Sequence, residues 1–205
     1  MPRIRAASIA EHKEQTRSEI LAAASDLFHG QGYAETSLGD IASFVGIGRT
    51  TLYEYFTDKE DILACMVEES LPQVIDGIVD SSREAGTARA RLEALILSGL
   101  DYVSSEGDLG AMVMHELPRL TGPAAGRVAA AHSRLGDEIM KVVREGIDSG
   151  EFRDLDPVAA GRIVTSLLMT ASQSLIRVRD ARTKREALAS TLIRFVFEGL
   201  AADRC

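Results

Sequence analysis

Tryptophan is missing from this sequence, aromatic residues make up only 5% of it, and its two cysteines stand far apart at positions 65 and 205. Two such cysteines cannot build a disulfide framework, which excludes a small stapled secreted domain. Cys65 falls in an apolar stretch and reads as core, Cys205 as part of the tail. Long apolar runs are missing as well. No stretch approaches the roughly 20 residues that cross a bilayer, and Arg3 and Arg5, followed by Glu11 and Glu14, leave no room for a signal-peptide core. A cytoplasmic chain with no membrane partner is expected. Catalytic signatures are equally scarce: there is no Gly-x-Ser-x-Gly elbow, no phosphate-binding glycine loop ending in Lys-Ser/Thr and no dinucleotide fingerprint. The histidines, His12, His29, His115 and His132, form no His-x-x-x-His pair suited to zinc. His115 and Glu116 are adjacent and so point to different faces of a helix. No enzymatic activity, cofactor or metal is expected.

A basic excess is also absent. The net charge is −8, the isoelectric point is about 5.1, and the first 59 residues carry six basic and eight acidic side chains. Generic attraction to a polyanion is thereby lowered. Any nucleic-acid contact must depend on a local face, with weak non-specific binding and a steep salt dependence at a specific site.

What the sequence does contain is helix. Its 205 residues, 45% of them hydrophobic, are enough for one or two small domains with a real core. Apolar positions recur at three- and four-residue steps, and no period-two run is long enough for a strand. The expected fold class is all-α: an N-terminal helix-turn-helix domain followed by a larger C-terminal helical domain. Helices are predicted over residues 16–32, 58–81 with Pro72 as a kink, 87–104, 108–117, 123–149, 157–178 and 184–201. The expected division is a flexible arm at 1–12, a helix-turn-helix domain at 13–59 and an effector-binding and dimerisation domain at 60–205. Arg3 and Arg5 could carry the arm into a minor groove, or the arm stands apart as a mobile tail.

Residues 36–59 hold the most specific signal. Ser37 and Asp40 have the three-residue spacing of a capping box, so a helix should start at Ser37. Leu38, Ile41, Ala42 and Val45 give it one apolar face. Gly46 can end it in the left-handed conformation and turn the chain sharply. Gly48 then opens a second helix that buries Leu52 and Phe56 and turns Arg49, Thr50, Thr51, Tyr53 and Tyr55 outward. That outward set suits duplex DNA, because Arg can pair with guanine, a Thr methyl can meet the thymine methyl, and hydroxyls can donate to phosphate.

The pieces Thr36-Ser37, Asp40-Ile41-Ala42, Val45-Gly46-Ile47, Thr51-Leu52-Tyr53-Glu54-Tyr55-Phe56 and Asp58-Lys59-Glu60-Asp61-Ile62-Leu63 resemble the DNA-binding region of the tetracycline-repressor (TetR) family of bacterial regulators. The resemblance covers about residues 13–65. It implies that Arg49 and Thr50 read bases, that Thr51, Tyr53, Tyr55 and Lys59 clamp phosphates, and that Ser37 adds a backbone contact. It further implies a homodimer on a palindromic operator, most simply a repressor released by a small molecule. An activator, or a C-terminal domain that engages a protein partner, stays open. Two positions depart from the family pattern: Gly39 and Gly48 stand where relatives often carry a polar side chain and a serine cap.

An unidentified, mostly apolar effector is expected to touch residues of the middle helices: Leu97, Leu100, Tyr102, Met112, Met114, His115, Met140, Met169, Ser172 and Gln173. The same spacing also fits plain core. Two further stripes, Ile163, Leu167, Leu168, Ala171 and Leu175, then Leu188, Leu192, Phe195, Val196 and Leu200, predict a dimer interface of two helices from each chain.

Overall fold

The computed structural model describes residues 2–104, 109–116, 118–176 and 181–200, without the side chains of 2–7, Leu109, Ala111, Met114, Ile176 and 181–183. The fold is all-α, as expected. Its helices are α1 (Pro2–Gln31), α2 (Leu38–Val45), α3 (Arg49–Tyr53), α4 (Lys59–Arg83), α5 (Ala88–Ser104), α6 (Leu109–Glu116), α7 (Gly122–Asp148), α8 (Pro157–Ile176) and α9 (Ala181–Leu200). Two compact units divide the chain, Met1–Val67 and Glu68–Cys205.

In the first unit, α1 starts well before the expected residue 16. Pro2 stands at its first position, where a missing N–H costs nothing, and no glycine or further proline interrupts the residues that follow. The segment read as an arm is therefore helical from Pro2 onward. Ile20, Ala24 and Phe28 of α1 close a core with Ile41, Ala42, Leu52, Phe56, Ile62 and Leu63, all essentially without exposure. Cys65 is buried there too. Gly32, at φ +96°, ends α1. Thr36 is buried in the following turn, donating from Oγ1 to the Gly32 carbonyl at 2.8 Å and accepting from Gln31 Nε2 at 3.2 Å.

Residues 59–67 of α4 belong to the first unit and 68–83 to the second. The helix runs through Pro72. Pro72 cannot donate to the Glu68 carbonyl, and both residues lie on the solvent side, where water can take that bond.

The second unit is built around α5, whose Leu92, Leu95, Ile96 and Leu100 are fully buried. The Glu151 carboxylate caps its start, accepting from the N–H groups of Ala88 and Arg89 at 3.1 Å each. Arg91 then bridges to Glu138 and Glu145 on α7. α7 also holds the later part of α4: Arg127 makes a two-pronged bond to Glu68 at 2.8 and 2.5 Å, and Arg134 pairs with Asp76. α7 and α8 cross closely because Gly161 lacks a side chain. A Cβ there would come within 2.9 Å of the Met140 Cα.

Candidate DNA-binding surface and ligand cavity

The helix-turn-helix assembles from short-range bonds. Ser37 is extended (φ −105°, ψ 161°). Its Oγ accepts from the Asp40 N–H at 3.2 Å, while the Asp40 carboxylate accepts from the Ser37 N–H and hydroxyl at 2.8 and 2.7 Å. Those bonds from Ser37, then the positive charge of Arg49, hold the Asp40 carboxyl below its ordinary pKa. The cap therefore stays ionised under any neutral condition. At the other end Gly46 is left-handed (φ 81°, ψ 26°). Its N–H bonds to Ser43 at 3.2 Å, and the Ile47 N–H reaches the Ala42 carbonyl at 2.9 Å, the paired bonds that close a helix at a left-handed residue. Gly48 (φ −72°, ψ 148°) caps α3 with backbone alone.

α3 is shorter than expected and ends at Tyr53; it turns Leu52 into the core and leaves Arg49, Thr50 and Tyr53 exposed and Thr51 half-buried, while Phe56 is buried and Tyr55 half-buried in the turn that follows. Arg49, Thr50, Thr51, Tyr53, Tyr55 and Ser37 share the first unit's α2–α3 region. A Cβ at Gly39 would make only ordinary contacts, 3.4 Å from Ser37 Oγ and 3.8 Å from Cδ and Cζ of Arg49. The Arg49 side chain lies over the bare glycine.

Lys59 is placed differently from the expected phosphate clamp. Its Nζ donates to the carbonyls of Tyr33, Thr36 and Ala34 at 2.5, 2.9 and 3.3 Å, and it sits 4.4 Å from the Tyr33 ring centroid. The first turn of α4 is thereby fastened to the loop between α1 and α2. Nothing in the local sequence signals this, because the partners lie 23 to 26 residues away.

The second unit contains a narrow apolar cavity with about 30 Å³ of free space, so a ligand larger than water must displace its walls. Its walls are Leu71, Ile75 and Ile78 of α4, Gly99, Tyr102 and Val103 of α5, His132 and Leu135 of α7, and Leu168, Met169 and Ser172 of α8. Of the residues expected to meet a ligand, it brings together Tyr102, Met169 and Ser172. The Tyr102 ring rests on Gly110 of α6, where a Cβ would come within 2.6 Å of it. The others lie elsewhere. Leu100 is packed in the core, Met140 fills the crossing at Gly161, and His115 is an exposed partner of Glu116 and Arg119. Leu97, Met112 and Gln173 are half-buried off the cavity. The Met114 side chain lies outside the described residues. The α4 wall and His132 were missed, because an apolar helix face does not reveal which neighbour it meets.

The two expected interface stripes also divide. Leu168, Ala171, Leu175, Leu192, Val196 and Leu200 are buried within the chain, and Leu168 packs over Gly99, where an added Cβ would come within 3.2 Å of it. Facing outward are Ile163 at 60% and Phe195 at 67% exposure, with Leu167 and Leu188 half-buried. Ile163, Leu167 and Phe195, with the inner edges of Val196 and Leu200, line a shallow apolar groove between α8 and α9 that Leu155, Ala160, Val164 and Gly199 complete. A helix of period 3.6 shows both faces as apolar when each is covered, so spacing alone merged a core face with an open one.

The family model described as "Bacterial regulatory proteins, tetR family" matches residues 20–66, and the model "Tetracyclin repressor-like, C-terminal domain" matches residues 85–173. The HTH-type transcriptional repressor KstR2 of Rhodococcus jostii (strain RHA1) is 30% identical over 161 residues, 74% of this chain and 76% of that one. The fatty acid metabolism regulator protein of Bacillus subtilis (strain 168) is 22% identical over 191 residues, 93% of this chain and 98% of its own. The structure of the transcriptional regulator FadR from Bacillus subtilis in complex with stearoyl-CoA superposes with a TM-score of 0.74 at 22% identity, covering 89% of this chain and 98% of that one.

Proposed function

From the premise that the chain belongs to the TetR family of bacterial regulatory proteins, we propose that it is a homodimeric repressor, released from a palindromic operator when a small, mostly apolar ligand enters the second unit. The observation that carries the DNA-binding half is α3 itself: a short helix anchored by its own Leu52 and by Phe56 just past its end, which exposes Arg49, Thr50 and Tyr53. Arg49 and Thr50 read base edges, Thr51, Tyr53 and Tyr55 hold phosphates, and Ser37 adds a contact from the start of α2. Lys59 serves by fixing the loop that presents Ser37.

The groove around Ile163 and Phe195 supports the dimer. A second copy would cover two large apolar side chains that water otherwise meets. Two copies also fit the need for paired half-sites about 34 Å apart.

Support for ligand control comes from α4. It supplies Ile62 and Leu63 to the core of the first unit and Leu71, Ile75 and Ile78 to the cavity wall. A ligand that needs this wall displaced favours a second conformer, and a preference of a few kcal/mol is enough to change which conformer dominates. The relative crystallised with stearoyl-CoA lends the idea of an aliphatic ligand further weight.

The test is selection of bound duplexes from a random pool, followed by anisotropy on the selected duplex at two salt concentrations. A palindrome bound by two chains with a steep salt dependence is expected. A folded, dimeric protein that enriches no sequence would overturn the reading.

A further inference from the structure

Within the cavity, three polar side chains, Tyr102, His132 and Ser172, stand among apolar ones, and the last two carry the inference. Ser172 is only 3% exposed, and its hydroxyl makes no hydrogen bond among the described residues, not even to the carbonyl one turn earlier that other α8 hydroxyls use. Thr165, Thr170 and Ser174 all donate to such a carbonyl, at 2.9 Å. Ser172 lines the cavity and its hydroxyl is not sealed off, so a bound ligand can supply the missing partner.

His132 is the second group. Its Nδ1 lies 2.8 Å from the Val128 carbonyl, one turn back on α7. A carbonyl only accepts, so Nδ1 must carry the proton. Burial pushes the imidazole pKa below its ordinary value, which keeps the ring neutral near pH 7. The other nitrogen, Nε2, then offers a bare lone pair and no charge.

We propose that Ser172 and His132 form a recognition site for a single neutral hydroxyl at the end of an apolar molecule, an alcohol or a phenol. The ligand hydroxyl donates to His132 Nε2 and accepts from the Ser172 hydroxyl, while its hydrocarbon part lies along Leu71, Ile75, Ile78 and Met169. A carboxylate is disfavoured on the same geometry. It has no proton for Nε2, it meets no cation among the lining residues, and it loses its hydration in an apolar space. The proposal rests on the ligand-responsive reading above and specifies which class of ligand the site takes.

The test uses the full chain at pH 7.5 with four probes in two matched pairs: 1-decanol against decanoate, and 4-pentylphenol against 4-pentylbenzoate. Calorimetry measures binding, and anisotropy with the selected duplex measures release. At least one hydroxyl probe should bind, and each should bind at least tenfold tighter than its acid. Ser172→Ala, a change that favours helix, should weaken the hydroxyl probe by about tenfold, the equivalent of one hydrogen bond. His132→Phe should do the same with the thermal transition retained. Tighter binding of either acid, binding of no probe, or hydroxyl binding unchanged in Ser172→Ala would each overturn the site. Tight, Ser172-dependent hydroxyl binding that leaves the duplex bound would uphold the site and overturn the release mechanism instead.

Discussion

Lys59 separates two physical roles that give opposite signatures. As a fastener, its ammonium donates to the part-buried carbonyls of Tyr33 and Thr36 and to the exposed carbonyl of Ala34. Hydrogen bonds to a charged group contribute about 1.5 to 3 kcal/mol each. Setting aside the exposed bond, and allowing for water that replaces part of the other two, Lys59→Met should cost the first unit about 2 to 4 kcal/mol. Methionine keeps the aliphatic stem, so the loss belongs to the charge and its bonds. With no tryptophan in the chain, tyrosine fluorescence follows urea unfolding, and three of its four tyrosines, Tyr33, Tyr53 and Tyr55, lie in this unit. Operator affinity should fall because the loop before Ser37 loosens, yet the slope of log affinity against log salt should hold. A phosphate contact predicts the reverse, because each one lost lowers the slope by about 0.9. Unchanged unfolding together with a slope reduced by about one per protomer would refute the fastener and restore Lys59 to the phosphate contacts.

Arg49→Ala should cost about 1 to 3 kcal/mol at the operator and relax preference at one base position, and an equal loss on every sequence in a competition assay would make it a phosphate contact. Gly161→Ala should destabilise the second unit by about 1 to 3 kcal/mol in chemical denaturation, because the new methyl meets the Met140 backbone at 2.9 Å; a neutral result would mean that α7 and α8 separate easily. Phe195→Glu should convert the protein to monomer in sedimentation and abolish tight operator binding, and a stable dimer would move the interface away from this groove. His132 predicts a pH dependence. Its pKa is lower in the folded chain than the ordinary 6.5, so in the interval between the two values the unfolded chain holds a proton that the folded chain lacks. The stability it contributes is full above pH 6.5 and is lost as the pH falls through the folded value. Thermal melts at pH 7.5 and pH 5 should converge in His132→Gln, and an undiminished difference would assign the effect to other groups.

The sequence by itself determined the helix-turn-helix almost residue by residue. Ser37 and Asp40 satisfy each other across three positions, Gly46 alone tolerates its left-handed turn, and Leu52 and Phe56 select the buried face. Each is a bond or a steric limit between residues at most five apart, so spacing carries the information. Long-range packing decided the rest. Lys59 finds its carbonyls across the turn from α1, and Arg49 lies over Gly39 because two helices meet at an angle. Tyr102, His132 and Ser172 share a cavity only because α5, α7 and α8 converge. Leu168 and Ile163 look alike as apolar positions of α8, yet one packs over Gly99 and the other faces outward. Hydrophobic burial has no direction of its own, so a periodic pattern shows that a helix face must be covered, while the arrangement of its neighbours determines whether core, ligand or a second chain covers it.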